Sequence, residues 1–266
     1  MRLTIAGHEL AVDVVGHGPV LLLLHPFPFS RGLWADDAAA LSVGCRVVTV
    51  DLRGFGDSAP ADGAFSIADL ADDAAALLDA LDVSRATVGG MSMGGYVALA
   101  MAARHPQRLD GLVLADTRAA ADSPEVRDTR ERAIAVVRRG GVERYIESML
   151  PRLLSRGADA VLRARVRALV THRPETVALA LEALRDRPDR TADLAAIRCP
   201  TLVLVGAEDE VTPPAEARVM AAAIPGAELV EIPGAGHLAN LDAPAPFRAA
   251  LGRFVAALAS TPAPTS

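Results

Sequence analysis

Ser92 is the side chain of this sequence best set to act as a nucleophile. It lies in Gly89-Gly-Met-Ser92-Met-Gly-Gly95, between a short apolar run and an amphipathic segment, and so fits G-x-S-x-G in a strand-turn-helix context. A serine on so sharp a turn takes a strained backbone, and side chains two positions before and after it would collide. Gly90 and Gly94 occupy those positions. The helix that follows would turn its free N–H groups and its dipole toward a developing anion. Glycine-rich turns that hold dinucleotide phosphates use G-x-G-x-x-G, a spacing absent here.

A hydroxyl needs a base, and the base needs a carboxylate to hold its tautomer. Of six histidines, His237 stands in Pro233-Gly-Ala-Gly-His-Leu-Ala-Asn240, a glycine-bearing loop between a strand and a helix. One strand-helix unit earlier comes Gly206-Ala-Glu-Asp-Glu-Val-Thr-Pro-Pro214. Its carboxylates Glu208, Asp209 and Glu210 compete, and the short, central Asp209 is the choice to turn inward. Asp116, at the end of an earlier apolar run, is the rival acid.

Acyl chemistry also needs donors for an oxyanion. One is the backbone N–H of Met93, next after Ser92. The other is expected from His25-Pro-Phe-Pro-Phe-Ser30, where Phe27 is the only residue between His25 and Phe29 with an N–H to give. His25 reads as a loop brace, and Asp51-Leu-Arg-Gly-Phe-Gly-Asp-Ser58 as a tight turn pinned by local ion pairs. His8, His17, His105 and His172 have no partners that raise them above background.

The elements that must position these groups alternate between two patterns. Leu3 to Ala6 and Leu10 to Val15 pair around a turn at Gly7-His8. Mostly apolar runs at Val20 to Leu24, Val47 to Val50, Ala86 to Val88 and Leu112 to Ala115 suit strands buried on both faces of a parallel sheet. Helical segments separate them: Leu33 to Leu41, Ser66 to Leu81 with Ser66 as N-cap, and Gly94 to Arg104. From Arg118 to Arg198 only amphipathic helical stretches appear, such as Ala133 to Leu150 and Ala158 to Leu169. Alternation then resumes through Thr201 to Val205, Ala215 to Ala223, Glu228 to Ile232 and Pro246 to Leu258. The expected fold is a doubly wound, mainly parallel α/β sheet over 1–117 and 199–259, with a helical cap inserted at 118–198 and a frayed tail at 260–266.

Composition excludes several chemistries. The 266 residues carry 27 basic and 33 acidic side chains for a net charge of −6, and every basic one is Arg. Without lysine there is no Schiff base and no Ser-Lys dyad. An acidic chain is no partner for a nucleic-acid backbone. Cys45 and Cys199 read as free thiols, and no His or Cys spacing suggests a metal, so no metal or organic cofactor is expected. The start lacks a signal-like apolar region, and the longest aliphatic run, Val20 to Leu24, is far too short to span a membrane. A soluble, cytoplasmic protein acting on a small molecule is expected; nothing in the sequence specifies an oligomeric state. The charge is uneven: residues 118–198 hold 17 of the 27 arginines but 12 of the 33 acids, leaving that segment at +5 and the remainder at −11. Most of these arginines are expected on outer helix faces, paired with acids at i, i+4.

From Leu3 to Leu258 the sequence resembles the α/β-hydrolase fold family, whose order is followed by the His-x-Phe-Pro loop, the Asp51 to Ser58 turn, the Ser92 elbow, the Asp209 loop and the Gly-His237 loop. The Gly-Gly extension of the elbow, Val-Thr-Pro-Pro after Glu210 and His-Leu-Ala-Asn after Gly236 resemble 3-oxoadipate enol-lactonases, small arylesterases and cofactor-free haloperoxidases. The family loop usually begins His-Gly; here it begins His25-Pro26. The resemblance implies a catalytic Ser92, His237 and Asp209 with an oxyanion hole at Phe27 and Met93. Serine at 92 argues against dehalogenase or epoxide hydrolase activity, for which the family uses Asp. Hydrolysis of small acyl or aryl esters is the first expectation and lactone hydrolysis, of a substrate with or without a carboxylate, the second. Perhydrolysis, suggested by Phe27-Pro28, and a non-catalytic ligand receptor are further alternatives.

Overall fold

The computed structural model describes residues 1–170 and 173–259. The expected frayed tail and His172 lie outside the described residues. Eight strands form one sheet: β1 (Arg2–Ile5), β2 (His8–Val15), β3 (Val20–Leu24), β4 (Arg46–Val50), β5 (Ala86–Met91), β6 (Leu109–Ala115), β7 (Thr201–Gly206) and β8 (Glu228–Ile232). Their order is β1-β2-β4-β3-β5-β6-β7-β8, antiparallel at β1/β2 and β2/β4 and parallel from β4 to β8. The chain leaves β3 toward β4 on one side, then returns to lay β5 on the other. That reversal opens a crevice beyond the carboxyl ends of β3 and β5, where ligands bind in open α/β sheets. The loop carrying Phe27 follows β3, and Ser92 follows β5.

The central strands are apolar because helices cover both faces. Leu21 to Leu24, Val47 and Val48, and Leu202 to Val205 are all buried, each such side chain contributing roughly 1.5–3 kcal/mol by leaving water. The apolar run at Ala86 extends as strand through Gly89 and Gly90 to Met91, all buried. The flanking helices are α1 (Ala35–Leu41), α2 (Ile67–Ala80), α3 (Met93–Arg104), α8 (Pro214–Ala223), the one-turn α9 (Ala239–Asp242) and α10 (Pro244–Ala259). Ser66 caps α2 in a capping box: its Oγ accepts from the Asp69 N–H at 3.1 Å, and its own N–H donates to Asp69 Oδ2 at 2.7 Å. The segment expected as one helix from Leu33 starts as a 3₁₀ turn, Arg31–Trp34, which runs into α1.

Between β6 and β7 lie α4 (Pro124–Arg138), α5 (Val142–Met149), α6 (Ala160–Ala168) and α7 (Pro174–Asp186), with no strand among the described residues. The stretch Ala133 to Leu150, read as one helix, is two. Gly140 takes φ 86°, and the chain turns between α4 and α5. Arginine pairing in this segment also departs from expectation, since most of it joins different elements rather than i, i+4 positions. Arg127 meets Asp186 at 3.1 Å and Arg138 meets Glu182 at 2.9 Å, linking α4 to α7, while Arg185 pairs with Glu131. Exposed pairs of this kind contribute about 0–1 kcal/mol each.

The β5-α3 turn leaves no room for a side chain at two of its glycines. A Cβ on Gly90 would overlap the carbonyl of Gly94, and one on Gly94 would overlap that of Leu24. Both obstacles are backbone, so relief requires a strand or helix to shift. Gly90→Ala is therefore expected to cost at least about 3 kcal/mol, a fall in Tm of about 6–12 °C for a chain of this size. Thermal melting checks this; an unchanged Tm would contradict the close approach.

Candidate active site

Ser92 joins β5 to α3 at φ 52°, ψ −112°, outside the regions where side-chain-bearing residues rest comfortably. Its surroundings hold it there. The Ser92 N–H donates to the carbonyl of Ala115 at 3.0 Å, and its own carbonyl accepts from the Tyr96 N–H at 3.1 Å and from Thr117 Oγ1 at 2.9 Å. The side chain stands at the N-terminus of α3, beyond the sheet.

Three residues distant in sequence meet here. Ser92 Oγ lies 2.9 Å from His237 Nε2, and His237 Nδ1 lies 2.8 Å from Asp209 Oδ2. An ionised carboxylate only accepts, so Nδ1 carries the imidazole proton and Nε2 is left to accept from the hydroxyl. Asp209 is itself oriented: Oδ1 accepts from the N–H groups of Val211 and Thr212 at 2.7 and 2.9 Å, and Oδ2 accepts from Thr212 Oγ1 at 2.7 Å. Burial would raise the Asp209 pKa, but the adjoining His237 and these hydrogen bonds outweigh it and hold the carboxyl below its ordinary value. Glu208 and Glu210 are exposed, so of the three adjacent acids only Asp209 turns inward.

Asp116 is fully buried but takes a different place. Its Oδ1 accepts from the Gly206 N–H at 2.8 Å and its Oδ2 from the Ala239 N–H at 3.3 Å, which ties the end of β7 to the turn after His237. Burial, with the charge of Asp209 added, pushes its pKa well above the usual carboxylate range. The His237 loop is held from the other side by Asp242, whose Oδ2 accepts from the N–H groups of Gly236 and Ser155 at 2.8 and 2.6 Å.

Phe27 and Met93 follow the adjacent parallel strands β3 and β5, with Met93 the first residue of α3. His25 braces the Phe27 loop. Its Nδ1–H donates to the Pro26 carbonyl at 2.9 Å, its Nε2 accepts from the Leu52 N–H at 3.1 Å, and its ring meets Phe55 edge-on. Burial keeps this imidazole below its ordinary pKa, as a neutral acceptor requires. The turn after β4 is pinned to the same loop by Asp51, which accepts from the Arg31 N–H at 2.6 Å and pairs with the Arg31 guanidinium.

A cavity of about 400 Å³ opens on these groups, with Ser92, His237, Phe27, Tyr96, Tyr145 and Val211 on its wall. Arg118, Arg130 and Arg152 line it as well. Sequence reasoning missed Thr212 and Tyr96, although one lies three residues after Asp209 and the other one helical turn after Ser92. It also left open which arginines face inward. Among the described residues, no group of three or more His, Cys, Asp or Glu is arranged to hold a metal ion, and no helix is long and apolar enough to cross a membrane.

A serine-bearing elbow, a carboxylate and an imidazole in this chain order on a sheet of this topology agree with a family model of the alpha/beta hydrolase fold that matches residues 19–244. The chain belongs to that family. This α/β-hydrolase is similar to a thermophilic esterase from Thermogutta terrifontis, solved with malate bound, at 38% identity and a TM-score of 0.94 over 98% of this chain and 99% of that one. It is similar to the enol-lactonase from Burkholderia xenovorans LB400 at 32% identity and a TM-score of 0.88, over 96% and 99% of the two chains. A curated relative, the putative carbamate hydrolase RutD of Caulobacter sp. (strain K31), is 33% identical over 233 residues, 85% of this chain and 86% of its own.

The hydrogen bond from His237 Nδ1 to Asp209 is open to direct test. A downfield imidazole N–H proton is expected in the NMR spectrum of the wild type and of Asp116→Asn, and is expected to vanish in Asp209→Asn. Loss in Asp116→Asn with retention in Asp209→Asn would assign the imidazole to the other acid.

Proposed function

We propose that this α/β-hydrolase cleaves carboxylic esters of small acyl or aryl groups through a serine nucleophile. The observation that carries the reading is the unbroken hydrogen-bond chain from Asp209 through His237 to Ser92, ending at the wall of a cavity whose volume suits a small organic molecule. In the first step His237 Nε2 accepts the Ser92 hydroxyl proton as Oγ attacks the ester carbonyl. The backbone N–H groups of Phe27 and Met93 are the donors for the tetrahedral oxyanion. The imidazolium, stabilised by Asp209, then protonates the departing alkoxide and leaves an acyl group on Ser92. In the second half His237 takes a proton from water, hydroxide attacks the acyl carbonyl, and the proton returns to Ser92 Oγ as the acid leaves. This route uses no metal or organic cofactor. Segment 118–198 serves as a cap over the core formed by 1–117 and 199–259 and shapes the acyl site.

Lactone hydrolysis is the second reading, favoured by the likeness to an enol-lactonase along nearly the whole chain. The same attack opens the ring, and the leaving alkoxide stays attached to the acyl group.

Hydrolysis of 4-nitrophenyl acetate beside a five-membered lactone and a simple carbamate tests the proposal. Ester turnover is expected to lead the panel, and kcat to fall about 10⁴–10⁶-fold in Ser92→Ala and about 10⁴-fold in Asp209→Asn. Turnover in Ser92→Ala equal to that of the wild type would refute a serine mechanism, and lactone turnover above ester turnover would favour the second reading.

A further inference from the structure

Among the described residues, the cavity wall carries Arg118, Arg130 and Arg152 but no Asp or Glu. Arg152 donates to the carbonyl of Glu210 at 3.0 Å. The other two converge on one buried carboxylate, Asp122. Arg118 Nη2 lies 2.6 Å from its Oδ1, Arg130 pairs with its Oδ2, and Nη1 of Arg187, the residue after α7, lies 2.7 Å from Oδ1. Three guanidinium groups therefore share one negative charge. Arg187 is committed to structure: it also donates to the carbonyls of Leu184 and Ala120, and its guanidinium lies 4.2 Å above the Tyr96 ring. The Nε of Arg118 is buried without a hydrogen-bond partner, as is that of Arg187, but Arg118 lines the cavity and Arg187 does not.

Partly desolvated cations in excess of their counter-ions are costly unless an anion joins them. A planar fork of N–H donors matches a carboxylate, which can take two parallel hydrogen bonds. Ser92, Arg118 and Arg130 line one cavity of about 400 Å³, so a single small molecule held there faces both the serine hydroxyl and the two guanidinium groups.

We propose that Arg118 and Arg130, held in place by Asp122, form an anion subsite that selects acyl substrates bearing a free carboxylate at the end remote from the scissile bond. This rests on the hydrolase reading above and narrows it to half-esters of short dicarboxylic acids and carboxylate-bearing lactones. Asp122 is a positioning residue: it aims the two forks and leaves part of their charge unspent.

The test compares kcat/KM for 4-nitrophenyl hydrogen glutarate with that for its neutral methyl ester. The anionic substrate is expected to be favoured about 10–100-fold in the wild type, the range of a charge-assisted hydrogen-bond pair, and the ratio to fall by at least about tenfold in Arg130→Gln. A ratio of one or less in the wild type, or an unchanged ratio in a folded Arg130→Gln, overturns the subsite. A binding measurement separates this from failure of the hydrolase reading and needs no arginine variant. Calorimetry on Ser92→Ala is expected to show glutarate binding and no glutaramide binding. Glutarate binding with no turnover of any ester by the wild type would leave the subsite standing and remove the hydrolase. Ester turnover with glutarate and glutaramide binding equally, or neither binding, would do the reverse.

Discussion

A hydroxyl proton has nowhere to go at neutral pH unless a neutral imidazole nitrogen stands within hydrogen-bond reach. The 2.9 Å approach of His237 Nε2 to Ser92 Oγ supplies that reach across 145 positions of chain. The strand order makes this meeting possible: the serine emerges where the connections leaving the paired strands β3 and β5 run to opposite sides, and the imidazole arrives from beyond β8. The backbone at Ser92 costs about 1–3 kcal/mol, and it persists because buried strands and the close approach of Gly90 and Gly94 to neighbouring carbonyls leave the turn no other shape.

Two buried carboxyls near the imidazole behave differently because their surroundings differ. Asp209 has an imidazole, two backbone N–H groups and a threonine hydroxyl around it, and its proton leaves easily. Asp116 has two backbone N–H groups and the charge of Asp209 nearby, and it holds its proton far longer. Opposite shifts in neighbouring acids divide their work. One accepts the imidazole N–H, and the other clasps the loops that carry Asp209 and His237. Asp242 extends the clasp to Ser155, so one carboxylate oxygen ties the helical segment to the His237 loop.

Much of this arrangement was legible in the sequence. Continuous apolar runs gave the parallel strands, as at Val20 to Leu24, whose bounds match β3. The glycines around Ser92 marked the elbow, and Asp209 was separable from its neighbours because its short side chain suits an inward turn. What stayed hidden depended on contacts between distant elements. Periodicity ran through Gly140-Gly141, where the chain in fact turns from α4 to α5. Arginine spacing suggested partners one turn away on the same helix, yet α4 and α7 lie side by side and exchange ion pairs across their interface. Arg118 and Asp122 stand at the expected i, i+4 spacing, but Arg130 from α4 and Arg187 from just beyond α7 reach the same carboxylate through contacts that no local pattern encodes.

The activated state of Ser92 is tested most directly by a fluorophosphonate, which forms a covalent bond only with a serine oxygen whose proton a base accepts. Peptide mapping by mass spectrometry after stoichiometric treatment is expected to find one adduct, on Ser92, with labelling strongly slowed in His237→Ala. An unlabelled Ser92, or labelling at the same rate without His237, would contradict an imidazole-activated serine.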